Sequence, residues 1–134
     1  MPYIIAFEEA PEYLHARVTG ERTPKNLLRY LEDSLAAAVA SGRAKVLLEM
    51  HFTGPSLSSS ALVNAISLVV PDAMKLKKVA LVEAAGGDPA MTFAETVALN
   101  RGVNAKLFHS VGEAAQWLAA TPADRGQDQR ERGG

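Results

Sequence analysis

Hydrophobic and polar positions alternate along this chain with two different periods, and the switches between them set out its elements. Residues 3–9 are apolar and β-rich, Ala10-Pro11 interrupts, and 13–19 alternate up to Gly20. That pattern predicts a β-hairpin with Leu14, Ala16 and Val18 toward the core and Tyr13, His15 and Arg17 outward. Thr23-Pro24 supplies a helix cap followed by a proline at the first helical position, and Leu27, Leu28, Leu31, Leu35 and Val39 then recur at helical spacing until Ser41-Gly42. Within 45–51 the run Val46-Leu47-Leu48 has no polar alternation, as in a strand buried on both faces of a parallel sheet. After Thr53-Gly54-Pro55 a serine-rich stretch leads into a helix expected over 57–70. Leu62, Ala65, Ile66, Val69 and Val70 form its apolar face, and Pro71 kinks or ends it.

The second half repeats the alternation. Val79-Ala80-Leu81-Val82 predicts a strand core within 78–83, followed by a loop over 84–89 with the pair Gly86-Gly87. Asp88-Pro89 is a second cap-plus-proline signal, Phe93, Ala94, Val97 and Ala98 mark a helical face, and 100–102 reads as a glycine stop. A short strand is expected over 105–108. Ser110 and Glu113 stand at capping-box spacing ahead of a helix carrying Val111, Ala114, Ala115, Trp117 and Leu118. The resulting order, β-β-α-β-α-β-α-β-α, predicts an α/β domain over 1–120 with a mixed sheet, its later strands parallel through right-handed crossovers. Whether the helices cover one face or both is left open by order alone. Residues 121–134 have no apolar anchor and read as a mobile polar tail.

Composition narrows the function classes. A length of 134 residues fits one domain, and 48% hydrophobic with 22% charged residues is ordinary for a soluble globular protein. A net charge of −1 without a basic cluster gives no field to attract nucleic acid or an anionic membrane. The absence of cysteine excludes disulfides, thiolate metal sites and thiol redox chemistry. No apolar run approaches the ~18 residues of a membrane span, and the first residues lack the pattern of a signal peptide, so a cytoplasmic protein is the default expectation.

Candidate chemistry centres on 44–62, because sites in open α/β sheets gather beyond the carboxyl ends of strands, where the next helix offers free N–H groups. Ser58, Ser59 and Ser60 read as an N-cap, or else as acceptors of a phosphate that the helix start would stabilise. Glu49 and His51 share one face of their strand, and with His109 they would furnish two imidazoles and a carboxylate. No HExxH-type pair supports a metal, nothing local brings His109 in, and structural or surface histidines are the preferred reading, with His15 an exposed strand residue. Gly86-Gly87-Asp88-Pro89 lacks both GxGxxG spacing and a P-loop Lys-Ser/Thr, so it reads as a turn with an Asp cap; there is no GxSxG. No catalytic residue, metal or cofactor is therefore expected. The apolar stripe of the 57–70 helix is wider than one core-facing face needs, consistent with burial beside the sheet, with an interface to a partner or a second copy, or with a groove for an apolar ligand.

The element order, Val18-Thr19-Gly20, Val46-Leu47-Leu48-Glu49 before a serine-rich helix start, Phe93-Ala94-Glu95 with Asn100-Arg101-Gly102, and Phe108 before Glu113-Ala114-Ala115-Gln116-Trp117-Leu118 together resemble the STAS domain, the SpoIIAA-like fold of bacterial anti-sigma-factor antagonists. The resemblance covers most of 3–120. It implies a non-catalytic signalling module that binds a protein partner, an anti-sigma factor that is also a kinase, with a phosphoacceptor serine in an Asp-Ser-Ser-Gly-like motif. Here that place reads Ser58-Ser59-Ser60-Ala61-Leu62, without the Asp and the Gly. Ser58 and Ser59 are the phosphoacceptor candidates, and Thr53, Gly54, Ser56, Leu57, Ser60 and Leu62 the partner-binding ones. A homodimer is the second assembly considered. The alternative function is a carrier or sensor of a small apolar ligand held beside the 57–70 helix.

Overall fold

The computed structural model describes residues 3–83 and 89–120. The elements are β1 (Ile4–Glu9), β2 (Leu14–Glu21), α1 (Pro24–Ala40), β3 (Lys45–Thr53), α2 (Ser59–Ala73), β4 (Lys78–Val82), α3 (Pro89–Asn100), β5 (Ala105–Phe108) and α4 (Val111–Ala119). They form one mixed α/β domain around a five-stranded sheet of order β1-β2-β3-β4-β5. β1 is antiparallel to β2, and β2 through β5 are mutually parallel. The Gly-Gly loop and its Asp cap, and the 121–134 tail, lie outside the described residues.

Sequential strand order has a direct consequence for the layers. Each parallel step moves the same way across the sheet, so right-handed crossovers put α1, α2 and α3 all on one face. There they close the main core over Leu14, Ala16, Val18, Val46, Leu48, Met50, Val79 and Leu81. The final helix has no strand to return to and packs α4 on the other face, where Ala114 and Leu118 cover Leu47, Ala80 and Val82. Both faces of β3 and β4 are therefore buried, the physical reason their sequences run apolar without alternation. The ammonium groups of Lys45 and Lys78 bond the Leu118 carbonyl and the Trp117 carbonyl, each at 2.6 Å, satisfying acceptors that the end of α4 would otherwise leave open.

Local signals set most boundaries. Thr23 Oγ1 accepts from the Asn26 N–H at 3.0 Å with Pro24 next, as the cap signal predicts. Gly102, at φ +91, ends α3 with Val103 N–H bonded back to Ala98 O at 3.0 Å. Ser110 Oγ accepts from Glu113 N–H at 3.2 Å, although the return bond of a full capping box is not made. One expectation is corrected here. The helix expected over 57–70 starts at Ser59 and runs through Pro71 to Ala73; so late in a helix, the proline removes one donor, and buried Ala73 and Leu76 hold the final turn in place. The wide stripe on that helix is mostly buried between the sheet, α1 and α3, leaving Leu68, at 58% exposed, as its large outward residue.

Candidate functional site

The β3–α2 connection lies at the carboxyl edge of the sheet. Thr53 ends β3, and its carbonyl accepts from Arg22 N–H at 2.7 Å. Gly54 takes φ +106, a conformation that strains any residue with a Cβ, and its carbonyl accepts from Arg22 Nη1. Arg22 Nη2 also donates to Phe52 O at 3.1 Å and lies 3.9 Å from a carboxylate oxygen of Glu83, at the end of β4. One guanidinium thus fastens the loop to the β2–α1 junction and to the neighbouring strand. Nothing in the local pattern around Arg22 marks it, because its partners lie 30 residues or more away.

Ser58 is the N-cap of α2: its Oγ accepts from Ala61 N–H at 3.2 Å and lies 3.3 Å from Ser60 Oγ. Ser59 is the first helical residue, and its hydroxyl makes no hydrogen bond among the described residues. Thr53, Gly54, Ser56, Ser58, Ser59 and Ser60 are exposed, Leu57 is half-buried, and Leu62, at 4% exposed, belongs to the core. Leu62 therefore supports the loop from beneath.

Of the three histidines, His15 departs from its expected place. His109 turns to the Glu83 backbone, its ring nitrogen 3.5 Å from that carbonyl, and does not join Glu49 and His51. His15, expected to be an exposed strand residue, is half-buried and takes that place. Its Nε2 lies 2.7 Å from one oxygen of Glu49, while His51 Nε2 lies 2.6 Å from the other. An ionised carboxylate offers only lone pairs, so in both rings Nε2 carries the proton. Burial alone would raise the Glu49 carboxyl, but the hydrogen bonds from His51 and His15 outweigh it and hold it below the usual glutamate value. Because each imidazole engages a different oxygen, the three side chains do not converge as a ligand set, and no group of three or more such residues among those described is arranged to hold a metal.

On the helix face, Leu48, Ile66, Val69, Ala98 and Val103 surround an apolar cavity of about 60 Å³. No helix among the described residues is long and apolar enough to cross a membrane.

This architecture is similar to a solved structure. The crystal structure of an uncharacterized protein of the DUF3478 family with a SpoIIAA-like fold, from Shewanella loihica PV-4, matches with a TM-score of 0.55 and 21% identity, covering 87% of this chain and 93% of that one. No family model matches the chain, and no curated protein does. The SpoIIAA-like fold implied by the resemblance is the fold of this chain.

Proposed function

We propose that this chain is a non-catalytic regulatory domain that acts by binding another protein, with the β3–α2 loop and the first turn of α2 as the contact surface. The observation that carries this reading is a loop that is exposed and yet held in shape: Thr53, Gly54, Ser56 and the three serines stand in solvent while Arg22 grips the backbone behind them. A surface ordered before docking loses less conformational entropy when a partner arrives. Open grooves flank the start of α2, one of about 350 Å³ between Leu57 and Phe93 and one of about 460 Å³ between Leu28 and Asn64. The exposed Phe93 offers an apolar anchor in the first.

Serine phosphorylation is the sharper form of this reading. Ser58 spends its oxygen on the cap, so the unengaged hydroxyl of Ser59 is the more accessible acceptor, and a phosphate there would sit against the free N–H groups of α2. By the resemblance to anti-sigma-factor antagonists, the partner is a kinase-type anti-sigma factor in a bacterial cytoplasm. The carrier reading has less support: the apolar cavity of about 60 Å³ is well short of the ~150 Å³ that admits benzene in an engineered protein.

The test is a tagged pull-down from the native cells, with intact-mass measurement before and after phosphatase. A kinase-like partner that is captured by the wild type and lost with Ser56→Arg, together with a phosphatase-sensitive mass on the serine segment, is the expected result. Partner capture that survives Ser56→Arg and Phe93→Ala would move the contact elsewhere, and a co-purifying small molecule without a partner would favour the carrier.

A further inference from the structure

α4 covers only part of its face of the sheet, and the bare part carries a second set of groups. A groove of about 410 Å³ crosses β1, β2 and β3 there, lined by Ile4, Ala6, Arg17, Thr19 and His51. In the β2–β3 register Arg17 stands directly opposite Glu49, and Thr19 opposite His51. Arg17 and Glu49 would be the natural cross-strand ion pair. Glu49 instead gives one oxygen to His15 and the other to His51, and Arg17 has no hydrogen bond or ion pair among the described residues. The groove thus presents a guanidinium and a hydroxyl on one wall, an imidazole held by a carboxylate on another, and apolar surface from Ile4, 71% exposed, and Ala6 on the third.

We propose that this groove binds a small molecule bearing a carboxylate on a short apolar body. The planar fork of Arg17 matches the two carboxylate oxygens, Thr19 can donate beside it, and Ile4 with Ala6 covers the apolar part. A single negative charge suits the site better than a dianion, because Glu49 lies on the same face and its repulsion grows with ligand charge. The site is independent of the proposed partner surface, which lies at the start of α2 among the helices of the other face.

The test is a titration of the isotope-labelled chain with benzoate, followed by NMR at the Arg17 side-chain Nε–H and the amides of Ile4, Ala6 and Thr19, with inorganic phosphate titrated in parallel. Saturable shifts at these positions with millimolar affinity are expected, weakened about tenfold in Arg17→Gln while the remaining amides keep their positions. Shifts that never saturate, shifts centred elsewhere, or an unchanged affinity in Arg17→Gln would overturn the site. Phosphate binding as tight as benzoate would overturn its assignment to a carboxylate.

Discussion

The hydroxyl of Tyr30 donates to the carbonyl oxygen of Ala16 at 2.7 Å, from a side chain with no exposed surface. The bond ties the middle of α1 to the middle of β2, and the ring meets Phe52 edge-on at 6.0 Å. Burial first, and the negative charge of Glu49 second, push the phenol well above its usual value. Tyr30→Phe keeps the ring and loses the bond, so it is expected to lower stability by about 1 kcal/mol. Urea unfolding measures it. The sign with pH follows from the raised value: the contribution of Tyr30 is constant below the unfolded phenol value near ~10 and declines above it, so the gap between wild type and Tyr30→Phe should narrow in alkali. A gap that widened there would contradict this placement of the hydroxyl.

Ser34, one turn further along α1, is fully buried, and its Oγ has no hydrogen-bond partner among the described residues. The Tyr30 hydroxyl is near enough for Ser34 to favour the ionised phenol, the smallest of the three influences on it, but lies outside hydrogen-bond geometry. A buried hydroxyl without a partner costs desolvation and returns nothing, and alanine is the better helix former. Ser34→Ala is therefore expected to be neutral or stabilising by up to about 1 kcal/mol. A loss of about 1 kcal/mol or more in thermal or urea unfolding would show that the hydroxyl is engaged after all.

Glu49 links the strands through charge. Its folded-state value lies below that of the unfolded chain, because the hydrogen bonds from His51 and His15 overcome the burial that opposes them. The contribution of the carboxylate is thus fully present above the ordinary glutamate value near ~4.3 and is lost as pH falls through the lower folded-state value. Glu49→Gln, which retains shape but can accept from only one ring, should be less stable than wild type at neutral pH, and the difference should shrink only in acid. Unfolding midpoints measured from neutral pH down to about 3 decide it. A constant difference across that range would mean that the charge of Glu49 contributes nothing.

Much of the architecture was legible because it is local. The alternation of 14–18 placed Leu14, Ala16 and Val18 in the core, the unalternating 46–48 and 79–82 runs announced strands buried on both faces, and the Thr23-Pro24 and Ser110 caps fixed helix starts. Two things were not local. Pro71 predicts a kink or an end to its helix, but whether the helix continues depends on what the following turn buries. His15 and Glu49 are 34 residues apart, and their meeting depends on the β2–β3 register, which sets Leu14 opposite Val46 and which no pattern within either strand specifies. The same-face pair Glu49 and His51 is visible at a spacing of two, and nothing local joins His109 to it; that His15 supplies the second ring is not visible, because side-to-side adjacency in the sheet is not written in the sequence.

The serine segment separates capping from recognition with two substitutions. Ser58 Oγ accepts from Ala61 N–H at 3.2 Å, whereas the Ser59 hydroxyl has no hydrogen bond among the described residues. Ser58→Ala should therefore cost about 1 kcal/mol, a few degrees in melting temperature, while Ser59→Ala should leave stability within about 0.5 kcal/mol of wild type. If the surface acts only through its shape, both variants should still bind the partner in proportion to their folded fraction. If Ser59 carries the phosphate, Ser59→Ala should lose the phosphatase-sensitive mass and the phosphorylation-dependent change in partner affinity at undiminished stability. Ser58→Ala should then keep both while melting earlier. The opposite assignment, with Ser58→Ala losing the modification and Ser59→Ala keeping it, would mean that the phosphate replaces the cap, bonding the same N–H groups that the Ser58 hydroxyl now serves.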